Sequence, residues 1–505
     1  MNNKKTCIIA VDLGTSSVRA ALIDKHLRII KQSSKPVSLD TGAGGKAEQN
    51  THHIIDAAVA CITDIQNWSD LAGHAVEGLS FSNASASLVS LDNDYSPIRP
   101  ALTYADLRSS RESNLLIATY GSAFFRHTAA PIHASYWLPK FLWLKNKGLI
   151  DSKNRYFCMI KDLFIYHLTG RFVTDSSNAA ATGMCNAETG TWDQKMLEIA
   201  GIKGEQLPKI HPTTAVLVHD NLNSPLQGVL PRNCKIVLGA MDGVLSSLGA
   251  GAFQPGQITT TIGSSGACRI ASHSPLLDRS AAKIWSYPLD EDIWIRGGAM
   301  NNGGLVTQWL SETFSSAEVS EAERFHSLFD LAREIEPGAD GLVFLPYLFG
   351  ERAPIYDERA RGVYFGLHSG HQRAHLVRAG LEGILFAMYS IFELLQTGEY
   401  DIEEIRASGG YLKSELMLQI QADIFGKPIK IPACHEGSLV GAALLAQKAL
   451  GKIDSYYQMM PTIEISRQIK PELSNTKKYQ DIYPRFKALY SHLKPLFSQI
   501  ASLEG

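Results

Sequence analysis

Several features that would assign this chain to a common class of protein are absent from its sequence. No run of apolar residues reaches the ~18 needed to cross a bilayer. Lys and Arg total 48 against 50 for Asp and Glu, a net charge of -2, which gives no overall attraction to nucleic acid or to an anionic membrane. The first residues lack the continuous apolar segment of an export signal. We therefore expect a cytoplasmic protein with neither nucleic acid nor membrane as a partner.

Disulfide, zinc and familiar catalytic motifs are also missing. The seven cysteines are widely spaced, odd in number and form no Cys-x-x-Cys pair, so we expect free thiols in a reducing compartment. The Walker A, H-E-x-x-H, G-x-S-x-G and H-R-D motifs do not occur. Their absence disfavours a P-loop kinase and a protein kinase, and His435-Glu436-Gly437 is not a metalloprotease motif.

The length and the order of the elements predict an α/β protein of more than one domain. At ~100–200 residues per domain, 505 residues correspond to two or more domains. Apolar strands alternate with amphipathic helices, as in α/β folds. Strands are expected over 6–11, 18–23, 76–81, 235–238, 257–262 and 267–271, helices over 54–65, 376–395 and 438–450, and a glycine-rich loop over 41–46. Because the hairpins at 6–23 and 257–271 are alike, we expect two related halves.

The turn of the first hairpin is a candidate phosphate site. Asp12 ends the first strand, and the turn that follows consists of Gly14, Thr15, Ser16 and Ser17. Glycine lets backbone N–H groups approach an anion, and the hydroxyls add donors. Asp12 cannot bind phosphate itself, but its carboxylate can hold a divalent cation that bridges phosphates. Taken alone, the local pattern fits an ordinary polar β-turn better.

Three further segments carry residues suited to chemistry, and each has a structural alternative. Gly263, Ser264, Ser265 and Gly266 form a second small-residue turn, so two turns together could clamp one polyphosphate. Asp242 follows an apolar strand within a glycine-rich run, where it suits a general base or a helix N-cap equally. The segment Gly409, Gly410 and Ser414 could pack against a purine or form a plain strand-to-helix turn.

Together these segments resemble the FGGY carbohydrate kinases, the relatives of glycerol kinase and xylulokinase. The resemblance covers nearly the whole chain, and within the family it is greatest to bacterial gluconate kinases. It rests on Asp12-x-Gly14-Thr15-Ser16, Gly239-x-x-Asp242, Gly263-Ser264-Ser265-Gly266, Gly409-Gly410-x-x-x-Ser414, Lys161-Asp162, Thr174-Asp175, Gly350-Glu351-Arg352-Ala353-Pro354, Arg378-Ala379-x-x-Glu382-Gly383, Gly298 to Gly304 and Pro131-Ile132-His133.

The resemblance implies two actin-like, ribonuclease H-like ATPase domains with ATP and sugar in the cleft, divided here into 1–245 and 246–505. ATP would contact Gly14, Thr15, Ser16, Ser17, Gly263, Ser264, Ser265, Gly304, Gln308, Gly409, Gly410 and Ser414. Mg²⁺ would bridge phosphate oxygens near Asp12, and Asp242 would accept the proton of the sugar hydroxyl as it attacks the γ-phosphorus. Phosphoryl transfer needs mainly positioning and charge stabilisation, which these residue types supply.

The resemblance also implies a substrate, D-gluconate phosphorylated on its terminal hydroxyl to 6-phosphogluconate. Candidate sugar contacts are Ser82, Ser85, Asp106, Arg108, His133, Asn301, Asn302 and Asp242. Arg108, His133 and Lys140 are the cations suited to the sugar carboxylate, or each is part of a surface ion pair.

Two positions depart from the family pattern. Many relatives carry Met-His where this chain has Ser85-Ala86, which bears on substrate choice, and Tyr411 replaces the third glycine of the nucleotide turn.

Other functions remain open at this point. On the same scaffold, xylulose or another pentulose or polyol could be the acceptor. A different class would be an actin-like or heat-shock-type ATPase without sugar phosphorylation, or a non-catalytic sugar sensor. ATP and a small sugar or sugar acid are the expected partners, and a homodimer is left open.

Overall fold

The chain divides into two compact units. The computed structural model describes residues 5–278, 282–314 and 320–501. The first unit runs up to Phe253 and includes the later segments Ser272–Ile295 and Glu436–Ile463. The second consists of Gln254–Ala271, Arg296–His435 and the chain from Glu464 onward. The division into domains 1–245 and 246–505 stays a prediction, and the compact units differ from it by a first boundary at Phe253 and by the two later segments that belong to the first unit.

Strands are numbered in chain order. They are β1 (Lys5–Leu13), β2 (Ser17–Asp24), β3 (Ile29–Pro36), β4 (Asp40–Gly42), β5 (Lys46–Gln49), β6 (His74–Asn83), β7 (Val89–Leu91), β8 (Ala101–Leu102), β9 (Tyr156–Cys158), β10 (Val173–Asp175), β11 (Cys185–Asn186) and β12 (Thr191–Trp192). They continue with β13 (Lys209–His211), β14 (Val216–Val218), β15 (Lys235–Met241), β16 (Ile258–Ile262), β17 (Gly266–Ser272), β18 (Trp285–Pro288), β19 (Trp294–Met300), β20 (Val343–Pro346), β21 (Gly362–Phe365), β22 (Ile405–Ser408), β23 (Ile429–Pro432) and β24 (Ile465–Ile469).

Helices are numbered in the same way. They are α1 (Thr51–Gln66), α2 (Ser110–Tyr120), α3 (Phe125–Thr128), α4 (Trp137–Asn146), α5 (Ile160–Thr169), α6 (Ser176–Ala181), α7 (Gln194–Ala200), α8 (Asp242–Gly249), α9 (Gly304–Phe314), α10 (Glu321–Arg333), α11 (Arg373–Leu395), α12 (Glu415–Phe425), α13 (Gly437–Ala449) and α14 (Leu473–Ala501). The expected strands and helices agree with these. The glycine-rich stretch 41–46 is not an open loop, because a tight turn joins β4 and β5 there as a hairpin.

A six-stranded mixed sheet in the order β14-β15-β6-β1-β2-β3 is the centre of the first unit. Strand β6 lies between β1 and β15 and is parallel to both, whereas β1 and β2 form an antiparallel hairpin. The carboxyl ends of three parallel strands therefore meet at one edge of the sheet. Both faces of β1 are buried, which explains why its sequence is continuously apolar.

A seven-stranded sheet has the order β18-β19-β17-β16-β22-β23-β24. It repeats part of the first arrangement, because β16 pairs antiparallel with β17 as a hairpin and parallel with β22. Helix α11 is nearly all buried. Among the described residues it is the one helix long and apolar enough to cross a membrane. However, 78% of its most apolar 18-residue segment is buried inside the protein. It therefore has the burial of a core helix.

Two glycine-containing helices of the first unit, α8 and α13, pack with their backbones in close approach. A Cβ on Gly441 would lie 2.0 Å from the carbonyl oxygen of Leu245, and one on Gly249 would lie 2.0 Å from that of Gly437. These glycines are needed because any side chain would push the helices apart. Since α8 begins at Asp242, this contact also sets the position of that residue.

We expect Gly441→Ala to lower the stability of the protein, because the added methyl group overlaps the Leu245 carbonyl. Overpacking of this kind costs about 1–3 kcal/mol. Gly437→Ala is the matched control, since its Cβ would be 3.3 Å from the nearest atom, the Ser246 carbonyl oxygen. Thermal unfolding of both variants measures the difference, and equal melting temperatures would show that the close approach is not required.

Candidate active site

The turn between β1 and β2 is closed by its own backbone. The Gly14 N–H donates to the Ser17 carbonyl at 3.2 Å, and a Cβ on Gly14 would lie 2.8 Å from that same oxygen. Gln49 Nε2 donates to the Thr15 carbonyl at 3.0 Å, which ties the turn to β5. Gly14 is thus required by the tight closure, and the turn is held from both sides.

The carboxylate of Asp12 is buried and accepts two hydrogen bonds. Ser82 Oγ donates to Oδ1 at 2.6 Å, and Arg19 Nη2 donates to Oδ2 at 2.5 Å. Asp12 and Arg19 are direct neighbours across the β1–β2 hairpin. Ser82, which we expected at the sugar, therefore binds Asp12 in this structure.

Arg19 has a second acidic partner. Its Nη1 donates to Glu436 Oε2 at 2.5 Å, so the guanidinium bridges two carboxylates. Burial lowers the pKa of Arg19, but Asp12, Glu436 and then Asp242 outweigh burial and raise it. Arg19 and Glu436 were not among the residues expected from the sequence. The hairpin register could have indicated Arg19, whereas no local signal indicates Glu436.

Asp242 is the first residue of α8 and follows directly on β15. Met241 and Leu13 both lie opposite Asn83 of β6, so Asp242, Ser82 and Asp12 stand at the carboxyl ends of three adjacent strands. Such an edge is where α/β sheets bind ligands. Asp242 is partly exposed, unlike Asp12, so it retains access to solvent. Met241, not Asp242, occupies the N-cap position, which contradicts the N-cap alternative.

The β16–β17 turn in the second unit is supported by the start of α9. Gly304 N–H donates to the Gly263 carbonyl at 2.7 Å, and Leu305 N–H to the Ser264 carbonyl at 3.0 Å. A Cβ on Gly304 would lie 2.5 Å from the Gly263 oxygen. Gln308, further along α9, is exposed and donates to Glu312. Gly304 therefore supports the turn as a close backbone neighbour.

The Gly409-Gly410 segment adjoins the same turn. Gly409 has a φ of +106°, and a Cβ there would lie 2.3 Å from the carbonyl oxygen of Ile262, the residue before Gly263. Gly410 has open space around its Cβ position. Ser414 caps α12 by accepting from Met417 N–H, and Tyr411 turns inward to donate to Gln421 at 2.6 Å. Gly304 and Gly409 thus both lie against the β16–β17 turn.

Asp106 and Arg108 form a closed ion pair. Arg108 Nη2 donates to Asp106 Oδ2 and to Glu48 Oε1, both at 2.6 Å, and the guanidinium lies 4.5 Å from the centre of the Trp143 ring. Asp106 also accepts from the Ala47 N–H. Arg108 is therefore already paired with two acids, and a sugar carboxylate would compete with them for its donors.

His133 and Lys140 meet around Ser135. The Ser135 N–H donates to His133 Nδ1 at 3.2 Å, while Lys140 Nζ donates to the carbonyls of Ser135 at 2.7 Å and Thr103 at 2.6 Å. Burial lowers the pKa of Lys140 to about 7, although Asp106 partly opposes this. Lys140 thus joins the two loops that carry the sugar candidates.

Asn301 and Asn302 lie in the second unit and bind the segment 349–352. Asn302 is buried, donates to the Gly350 carbonyl and Glu351, and accepts from Phe349 N–H. Arg352 Nε donates to Asn301 Oδ1 at 2.7 Å. Burial raises the pKa of Glu351 to about 7. The amide of Asn302 is therefore fully engaged, and its contact with a sugar stays a prediction.

A small recess, with room for about one water molecule, lies beside the first turn. Its polar lining includes Thr15, Gln49, Asn83, Ser85 and Thr103. Asn83 is buried, and its Oδ1 has no hydrogen-bond partner. Ser85 is thus a sugar candidate that lines this recess.

Comparisons with known proteins assign the chain to a family. Residues 7–249 match the N-terminal domain, and residues 259–450 the C-terminal domain, of the FGGY family of carbohydrate kinases. The chain belongs to this family. It is accordingly a phosphotransferase that acts on an alcohol group, and the expected α/β fold of the actin-like sugar kinases is confirmed.

Individual relatives cover nearly the whole chain. Gluconokinase of Bacillus subtilis (strain 168) is 34% identical over 505 residues, which covers 98% of each protein. The crystal structure of gluconate kinase from Lactobacillus acidophilus matches with a TM-score of 0.92, 32% identity and coverage of 98% of this chain and 100% of that one. A ligand-bound xylulose kinase from Lactobacillus acidophilus matches with the same TM-score, identity and coverage.

We expect the stability of the wild type relative to Lys140→Met to increase with pH. Folding lowers the pKa of Lys140 from 10.5 to about 7, so between these values the unfolded chain binds a proton that the folded protein lacks. Stability rises with pH wherever the unfolded state binds more protons. Urea unfolding at pH 6, 7.5 and 9 measures the difference. Lys147→Met, at an exposed lysine after the same helix, should show no such slope, and a flat difference for Lys140 would contradict the lowered pKa.

Proposed function

We propose that this protein transfers the γ-phosphoryl group of ATP to the terminal hydroxyl of D-gluconate to give 6-phosphogluconate. The similarity to gluconokinases over 98% of the chain carries the proposal. The site geometry agrees with it, because Asp242, an acid that suits a general base, follows the carboxyl end of β15, and Arg19 lies near the start of β2, opposite Asp12. The reaction needs little more from the protein than positioning and charge stabilisation.

In this proposal ATP is bound by backbone and hydroxyl groups. Its phosphates bind the turn residues Gly14 to Ser17 and Gly263 to Ser265, and its adenosine lies against Gly409 and Gly410. Gly304 and Ser414 then act as supports, since both are engaged with backbone groups of their own unit. Asp242 accepts the proton of the sugar hydroxyl, which requires only an ordinary carboxylate held within hydrogen-bond distance.

The charges at the first turn fit a requirement for Mg²⁺. Asp12, Glu436 and Asp242 outnumber Arg19, so the cluster carries net negative charge that would repel a triphosphate. No group of three or more His, Cys, Asp or Glu among the described residues could hold a metal ion. Asp12 would hold Mg²⁺ through water, since its carboxylate already accepts from Ser82 and Arg19. When bound, Mg²⁺ neutralises phosphate charge.

Two specific observations favour xylulose as the alternative acceptor. A xylulose kinase structure matches this chain as well as the gluconate kinase does. In addition, Arg108 is already paired with Asp106 and Glu48, which leaves it less available to a sugar carboxylate.

A cytoplasmic location agrees with seven free cysteines, six of them buried.

A panel of acceptors tests the substrate. ADP release is measured with gluconate, xylulose, ribulose, glycerol and fuculose, each with MgATP and with EDTA. We expect gluconate to give the highest kcat/KM and EDTA to abolish turnover. A higher value for xylulose would establish the alternative acceptor, and ATP turnover that no acceptor stimulates would favour an ATPase without a sugar substrate.

We expect Asp242→Asn to lower kcat by at least about 10²-fold, because removal of a general base costs 10²–10⁴-fold. Binding of ATP, measured by isothermal titration calorimetry, should be retained. Glu77→Gln is the control, since Glu77 is also a partly exposed acid of the first unit but lies in the amino-terminal half of β6 and pairs with Lys452. Near-native turnover of Asp242→Asn would exclude it as the base.

A further inference from the structure

Arg19 is held by two carboxylates that come from distant parts of the chain. Asp12 is its neighbour in the hairpin, whereas Glu436 is 417 residues further along. Both distances are 2.5 Å, and each acid binds a different terminal nitrogen of the guanidinium. Arg19 Nε is shielded from solvent and has no hydrogen-bond partner, while the side chain as a whole remains 31% exposed. Arg19 is thus fixed in orientation without being closed off.

A second anchor changes what Arg19 can do. An arginine beside a single carboxylate tends to bind it with two parallel hydrogen bonds, which uses its donors and neutralises the acid. Glu436 accepts from Nη1 and so leaves Nη2 alone to contact Asp12. The opposed contacts hold the guanidinium beside the Gly14–Ser17 turn with a donor to spare.

Glu436 is itself held in place by packing. It is the residue before α13, and its Oε1 accepts from Gln32 Nε2 at 3.4 Å. Gly437, the next residue, approaches Ser246 of α8, and Gly441 contacts Leu245. The helix that begins at Asp242 and the helix that follows Glu436 are therefore in direct backbone contact. This contact fixes the spacing between Asp242 and Glu436, which both act on the charge of Arg19.

We propose that Glu436 is a positioning residue for phosphoryl transfer, acting through Arg19. By drawing the guanidinium away from a two-point contact with Asp12, it keeps one arginine N–H directed to the phosphate groups of ATP. Glu436 touches neither substrate. This inference rests on the proposed kinase activity.

A double-mutant cycle tests whether Glu436 acts through Arg19. Glu436→Gln keeps the shape of the side chain and removes its charge, and Arg19→Met removes the guanidinium. We expect Glu436→Gln to lower kcat/KM for ATP by roughly 10- to 100-fold, as misplacement of a positioned group does, and to leave KM for the sugar acid unchanged. In the Arg19→Met background the same change should have no further effect. Glu436→Asp should recover part of the loss.

The control is Glu77→Gln. Glu77 is also partly exposed and pairs with a cation at 2.6 Å, Lys452, but it lies in the amino-terminal half of β6, away from the turn. Its variant should keep wild-type kinetics. An unchanged kcat/KM for Glu436→Gln would overturn the proposal. So would a loss that multiplies with that of Arg19→Met, because it would show a general structural role.

Binding of ATP separates this inference from the proposed activity. Titration calorimetry with ATP needs no sugar and no turnover, and it should show a similar loss of affinity for Glu436→Gln, Arg19→Met and the double variant. Wild-type protein that turns over no acceptor would contradict the proposed function alone. Equal ATP affinity of the wild type and Glu436→Gln, together with unchanged kinetics, would contradict the role of Glu436 alone.

Discussion

The pairing of β6 with β1 on one side and with β15 on the other decides which side chains meet at the candidate site. Asn83 lies opposite Leu13 and Met241, so three strand ends are level and parallel. Asp12 comes one position before the end of β1, and Asp242 comes one position after the end of β15. The sheet brings these two acids together although they are 230 positions apart in the chain. The acids are thus placed by sheet register, and the packing of α8 on α13 adds Glu436 to them.

In each of the two large sheets, a glycine with positive φ allows the backbone to pass close to a carbonyl group of the neighbouring strand. Gly239 in β15 has a φ of +77°, and a Cβ there would lie 1.7 Å from the Phe81 carbonyl oxygen of the neighbouring strand. Gly409, after β22, has a φ of +106°, and a Cβ there would lie 2.3 Å from the Ile262 carbonyl oxygen. Each glycine lies against a central strand, just before a functional segment. This common device agrees with two structurally related halves.

Much of the fold could be predicted because it depends on local pattern. The two hairpins follow from short apolar runs on either side of a small-residue turn, and the long helix from its apolar periodicity. Arg19 could also have been inferred, since a turn of four residues places it opposite Asp12. Glu436 could not, because its position depends on contacts between two helices far apart in the chain. The engagement of Asn302 with Gly350 and Glu351 depends in the same way on long-range packing.

Solvent access separates the reactive charges of the first unit from the charges that serve its scaffold. Lys161 and Asp175 are completely buried and bind each other, and Asp106 is buried against Arg108. Such groups are already satisfied, so a substrate would gain little from contacting them and would have to break existing bonds. Arg19 and Asp242 are charged but partly exposed. A ligand can therefore reach them without dismantling the fold, which is why these two side chains, and not the more numerous buried ions, are the ones expected to meet ATP and the sugar.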